Sequence, residues 1–304
     1  MKKMFMAVIA LMMTISASAQ FYIYYSDGTV AKVDSISMVA PGGTNTPDTP
    51  IEPEEPTTPS TGIGVFSVAE GKTVTFSPGN LQYTQSTDTW SFAENQYDLI
   101  GAGNLTTLGN FADKIDLFCY GTGDAPTKIS LSTDDYLYFV DWGTNVIGTD
   151  TANTWRTLTY QEWSHLIWGR HALLNIPAEV NGVGGLVLFP DNWVWPDNIH
   201  INDNIYNESG CDYSSQTFTK DEWLILEQAG AVFLPAAGAH GYGGGLDQRR
   251  FGDECGGFYW VAPDDPNATI NEVCYTIMFN SHAIINYSWS ATVNGYSVRL
   301  VKDL

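Results

Sequence analysis

Two segments sixty residues apart carry the same helix-start signature, and together they constrain the fold more than any other feature of the chain. They are Thr157-Leu-Thr-Tyr-Gln-Glu-Trp163 and Thr217-Phe-Thr-Lys-Asp-Glu-Trp223. In each, a threonine (Thr159, Thr219) stands where an N-cap accepts a backbone N–H. A glutamate three residues on (Glu162, Glu222) can reach back to the cap's own N–H, which completes a capping box. Leu158 and Phe218 precede the caps, and Trp163 and Trp223 fall where a hydrophobic staple closes. Gly169-Arg170 and Gly230 supply the stops. Two helices are therefore predicted. Each is followed by a related strand, Gly185-Leu-Val-Leu-Phe-Pro190 and Gly230-Ala-Val-Phe-Leu-Pro235. The expected class is α+β, with two helices packed on antiparallel strands.

Further strands are predicted at Lys72–Phe76, Tyr136–Val140, Ala231–Leu234, Val273–Phe279 and Tyr296–Val301. In the last, Tyr296, Val298 and Leu300 alternate with Ser297 and Arg299, which predicts one buried face. All ten tryptophans lie between residues 63 and 304, and about 240 residues suffice for one large core.

What precedes that domain reads as three short pieces. Residues 1–19 have the order of a signal peptide: Lys2-Lys3, an apolar run from Met4 to Ile15 too short to span a bilayer, then Ala17-Ser-Ala19 before Gln20. The residue after that site is not cysteine, which argues against a lipid anchor there. Residues 20–40 form a short hairpin segment, in which Tyr22–Tyr25 and Val30–Val33 flank Ser26-Asp-Gly-Thr29. Residues 41–62 are a linker rich in Pro, Thr and Glu whose only sizeable apolar residue is Ile51. The expected location is the cell exterior or outer surface, with the periplasm as the alternative.

Charge narrows the partners. Losing Lys2 and Lys3 with the leader leaves 11 basic against 34 acidic residues. Such a chain repels phosphate backbones, so nucleic acid is excluded as the expected partner. None of Cys119, Cys211, Cys255 and Cys274 forms a Cys-x-x-Cys pair, so neither zinc nor a redox motif is indicated. An exported chain can oxidise its thiols. Cys255–Cys274 is the preferred bridge, and four buried free thiols are the alternative.

At several positions the sequence resembles a known group. Trp155-Arg-Thr-Leu-Thr159 with Glu162-Trp163, Phe233-Leu-Pro-Ala-Ala-Gly238, Gly257-Phe-Tyr-Trp260 and Gly295-Tyr-Ser-Val-Arg-Leu-Val301 resemble formylglycine-generating-enzyme-like and C-type-lectin-like domains. With Phe76-Ser-Pro-Gly-Asn-Leu-Gln-Tyr83 at its start, the pattern is most similar to exported proteins of Bacteroidetes. These lie in or near the group named after the major paralogous domain of Fibrobacter succinogenes. The resemblance covers residues 63–304. It implies a C-type-lectin-like fold, two helices flanking a small twisted sheet, with long loops after the second helix. The enzymes of that group use closely spaced cysteines near the C-terminus. Cys255 and Cys274 are 19 residues apart, so that activity is not expected here.

No catalytic constellation is recognisable. There is no Gly-x-Ser-x-Gly elbow and no His-Glu-x-x-His, and the five histidines lack metal-ligand spacing. Asp134-Asp135, Asp253-Glu254 and Asp264-Asp265 are paired carboxylates of the kind glycosidases use, but adjacent acids in an acidic chain usually face solvent. Calcium is the one cofactor considered. Asp247, Asp253, Glu254, Asp264 and Asp265 fall in the long-loop region, where oxygen ligands on flexible loops suit that ion; solvated loop acids are the other reading. Trp193 and Trp195 alternate with Val194 and are read either as a sugar platform or as core cover. Asn280 to Ser297 is rich in Asn, Ser and Tyr and carries no charge, a composition suited to adaptable binding surfaces. Asn280, His282, Asn286, Tyr287, Trp289 and Asn294 are the expected ligand-facing patch. The expected function is a secreted or surface-displayed, non-catalytic binding module for a protein or glycan. A structural or adhesin component of a surface assembly is the first alternative, an enzyme the second.

Overall fold

The computed structural model describes residues 21–24, 30–33, 64–104, 112–170, 174–197, 199–202, 213–241, 246–247, 256–265, 273–280 and 283–304. The chain divides into two units, Met1–Pro56 and Thr57–Leu304. In the first, Phe21–Tyr24 pairs antiparallel with Val30–Val33, in the register Phe21 to Val33 and Tyr24 to Val30. The leader, the hairpin turn and the linker lie outside the described residues.

The second unit is a mixed, sheet-dominated fold with two short helices and several small, mostly antiparallel sheets. The helices are α1 (Tyr160–Ser164) and α2 (Lys220–Gln228), and both capping boxes are complete. Thr159 Oγ1 accepts from Glu162 N at 3.4 Å while Glu162 Oε2 accepts from Thr159 N at 3.0 Å. Thr219 and Glu222 repeat the exchange at 3.3 and 2.8 Å. The two helices end differently. α2 closes in a Schellman motif, with Ala231 N donating to Leu226 O and Gly230 N to Glu227 O, both at 2.9 Å. That geometry requires the positive φ of Gly230, +97°. α1 instead widens into a π turn, His165–Gly169. Its carbonyls are taken by two side chains, Arg170 Nε on Leu166 O at 2.9 Å and Asn175 Nδ2 on Ile167 O at 3.1 Å.

The helices cover opposite faces of one four-stranded sheet, ordered Thr217–Phe218, Asn175–Val180, Val183–Leu188, Val232–Pro235. Leu186, Leu188 and Leu234 face α1 and pack with Trp163, Leu166 and Phe76. Ile176, Val187 and Phe233 face α2 and pack with Trp223 and Leu226. Burial on both faces explains why these strands read as continuous apolar runs. The staple residues Leu158, Trp163, Phe218 and Trp223 are all buried.

Residues Gly295–Asp303 form a seam through the unit. Gly295 bridges to His240, Tyr296 to Phe118 and Ser297 to Tyr259. Leu81 N and Ser77 N donate to Val298 O and Leu300 O, both at 2.9 Å. Strand Leu300–Asp303 then lies between Lys72–Phe76 and Arg156–Thr157. The sequence pattern predicts one buried face for Tyr296–Val301, but both are buried: Ser297 is 0% and Arg299 1% exposed. The buried guanidinium is tolerated because two of its nitrogens are paired. Arg299 Nη2 donates to Gln96 Oε1 at 2.5 Å and Nη1 to Phe233 O at 3.4 Å. Gln96 Nε2 in turn donates to Glu227 Oε1 at 2.8 Å, which carries a counter-charge towards the buried cation.

Two further expectations are corrected. Tyr136–Val140 is not a strand. Thr133–Tyr136 is a turn of 3-10 helix capped by Ser132, whose hydroxyl accepts from Asp134 N at 3.3 Å. Asp134 and Asp135 occupy its first turn, where carboxylates suit free N–H groups. The preferred Cys255–Cys274 bridge is also absent, because Cys274 is a free, buried thiol donating to Ser290 O at 3.3 Å. Cys119 is likewise free and buried; Cys211 and Cys255 lie outside the described residues.

Thr159→Ala and Thr219→Ala are each expected to cost about 1 kcal/mol. The glutamates should differ. Glu162 also accepts from Arg156 Nη1 and Nη2 at 2.7 and 2.8 Å, and Arg156 reaches on to Asp303. Glu162→Ala should therefore cost roughly 1–2 kcal/mol more than Glu222→Ala, as read from urea unfolding midpoints.

Candidate functional site

The residues expected to bind ligand are only partly placed. Asn280 ends strand Val273–Asn280, while Asn286, Tyr287 and Trp289 lie on its hairpin partner Ala283–Ala291. Their side chains, and His282, lie outside the described residues. Asn294 is corrected. It is 4% exposed, and its amide donates to Ser290 Oγ at 3.0 Å and Tyr296 OH at 3.3 Å, so it clasps the turn and does not face a ligand. Of the expected calcium ligands, Asp247 is described only as backbone on Leu246–Asp247, and Asp253 and Glu254 lie outside the described residues. Asp264 and Asp265 are exposed on a bend. Among the described residues no three His, Cys, Asp or Glu side chains converge as a metal would require. Trp193 packs tilted against Phe189 at 4.5 Å, and Trp195 meets Phe189 and Trp193 edge-to-face at 4.8 and 5.3 Å, over the α2 side of the core. They are cover, leaving Val194 outermost at 78% exposure.

The buried titratable groups are built for structure. Asp141 Oδ2 accepts from Thr157 N and its Oδ1 from Gly143 N, both at 2.9 Å, which fixes the approach to α1. Asp116 accepts from Ile100 N at 3.1 Å and from Asn104 Nδ2 at 2.5 Å. Burial is the first cause raising both carboxyls. Cys119 and His240 line one closed cavity of about 10 Å³, room for a single water. Burial pushes the Cys119 thiol up to about 12 and the His240 imidazole down to about 4. Both are neutral at pH 7, so the pair lacks the thiolate that nucleophilic catalysis needs.

Among the described residues, one site with room for a ligand is a groove of about 750 Å³ beside the π turn. One wall is the turn between strands Phe66–Ala69 and Lys72–Phe76, presenting Glu70 and Lys72. The other is the outer side of α1 and its π turn, presenting Gln161, Ser164, His165 and Trp168, with Asp264 at one end. Trp168 is 40% exposed, although its neighbours Leu166 and Ile167 are buried. Glu70, Gln161, Ser164 and Asp264 spend no side-chain hydrogen bond on another described residue. π turns of this kind occur disproportionately at functional sites. The regular α2, with the same start signature and no π turn, serves as the internal contrast. Among the described residues, Asp264 is the one sequence-predicted site residue that lines the groove. Trp168 was hidden by its helical context, and the signal that could have found it is an exposed tryptophan one residue before the Gly169 stop.

Comparisons with family models, with curated proteins and with solved structures gave no match to the chain.

His240 gives this core a pH dependence. Unfolded, it takes up a proton near 6.5; folded, only near 4. Between those values the unfolded state binds more protons, so stability present above pH 6.5 is lost as pH falls towards 4. The loss from this group is roughly 3 kcal/mol. Urea midpoints from pH 7 to 4 should fall more steeply for the native chain than for a His240→Gln variant.

Proposed function

We propose that the chain is a secreted or surface-displayed, non-catalytic binding module on a C-type-lectin-like scaffold, with the groove beside the π turn as its ligand seat. The observation that carries this is Trp168: an indole 40% exposed on an irregular helix turn, lining an open groove with polar side chains that spend no hydrogen bond on another described residue. An aromatic anchor among a few convergent polar groups is the usual composition of a recognition site. Two helices on opposite faces of a small sheet support the scaffold. The leader pattern and the Pro-, Thr- and Glu-rich composition of the linker support display away from the cell, for a protein or glycan ligand. Fold analogy supports the scaffold only, so the ligand seat is argued from its own residues.

The test is surface plasmon resonance of the purified chain over immobilised polysaccharides and extracellular-matrix proteins. Trp168→Ala should weaken retained binding at least about tenfold, with the melting temperature within about 2 °C of the native chain because the side chain lies outside the core. If Tyr287→Ala and Trp289→Ala abolish binding and Trp168→Ala leaves it intact, the groove is not the seat and the C-terminal hairpin is.

A further inference from the structure

Resting on the groove as ligand seat, we infer that its ligand is an uncharged oligosaccharide. Three carboxylates (Glu70, Glu162 and Asp264) and one ammonium, Lys72, line the groove. Glu162 is held by Arg156, but Arg156 is shared with Asp303, so the surroundings remain net negative. The whole chain adds a net charge of −21. Polyanionic ligands, whether sulfated or uronic, are therefore repelled over the length of the groove.

What the groove offers instead is a mixture. Gln161, Ser164 and Lys72 donate, Glu70 and Asp264 accept, and Trp168 presents an apolar face. A pyranose has the complementary anatomy, with a C–H face for the indole and a rim of hydroxyls, each donor and acceptor at once. Two neighbouring hydroxyls can share one carboxylate, which is a use for exposed, uncommitted Glu70 and Asp264 that an apolar ligand would leave unpaired. A cationic peptide could pair with the carboxylates and offer its backbone carbonyls to Gln161 and Ser164, so it is the competing ligand, and hexalysine tests it. The groove is open along one side and about 750 Å³ in volume, above the needs of one sugar ring, so a chain of several units is the fitting length.

The experiment is calorimetric titration of the purified full chain with hexasaccharides of mannose, xylose, glucose and N-acetylglucosamine, with oligogalacturonate and a heparin hexasaccharide, and with hexalysine. At least one neutral hexasaccharide should bind, at least about tenfold more tightly than either anionic one. Trp168→Ala should remove that binding. A Glu70→Lys/Asp264→Lys double variant should lose it and gain salt-sensitive affinity for the anionic oligosaccharides. Trp168-dependent binding of the anionic sugars or of hexalysine by the native chain overturns the inference and leaves the groove as the seat. Binding of no saccharide while Trp168-dependent retention on a matrix protein persists also overturns it and leaves the binding-module reading standing. If neither saccharide nor protein is bound in a Trp168-dependent way, both fall.

Discussion

Arg299 places a guanidinium at 1% exposure inside the seam that joins most of the sheets, and the fold depends on how that charge is satisfied. An unpaired buried cation is costly enough that it would sooner lose its proton, and burial does lower Arg299 to about 10, still charged at neutral pH. The Gln96 amide resolves the problem by making four hydrogen bonds. Its oxygen receives Arg299 and Phe233 N, and its nitrogen donates to Glu227 and to Ala231 O. One neutral side chain thus ties the seam to the strand after α2 and to α2 itself. Tyr259, donating to Pro235 O and accepting from Asn80, extends the polar lining on the same side.

A second electrostatic tie organises the opposite helix. Arg156 grips Glu162 and Asp303 together, so the residue that caps α1 is also fastened to the strand beside it. Arg170 does the same for the far end of α1, reaching Leu166 O, Phe189 O and Asp191 while lying over the Phe66 ring at 5.3 Å. Between those two arginines the segment is fixed at both ends, and α1 runs on into the π turn that carries Trp168.

How much of this was legible follows from the range of the interactions. Capping boxes, staples and the Gly230 stop involve residues within about six positions, so Thr159, Glu162, Thr219 and Glu222 could be assigned their roles directly. Long apolar strands such as Gly185–Phe189 were readable for a similar reason. Arg299 could not be placed, because its partner Gln96 is 203 residues away. Its alternation with apolar neighbours resembled an ordinary solvent face. The π turn was illegible too, since it relies on Asn175 approaching Ile167 from another element. Tyr136–Val140 was misread because Ser132 and the two aspartates favoured a capped turn over an extended segment. At the site the same logic applies. Composition drew attention to the uncharged Asn280–Ser297 stretch, yet Asn294 within it serves the core. Asp264 was singled out as a metal ligand and is found instead at the end of a groove whose other residues come from two distant segments.

The seam has a kinetic meaning as well. Every segment that residues 295–301 join (Ser77, Leu81, Phe118, Thr157, Phe233, His240 and Tyr259) precedes them in the chain. The core under α1 and the core around Trp142 and Trp260 both take residues from the seam and cannot be completed before it arrives, whereas the core between the four-stranded sheet and α2 needs none of it. Folding of this unit is therefore governed by its slowest, most distant pairing. Until synthesis reaches Leu300 those two cores remain open to solvent, while the α2 side can already be packed.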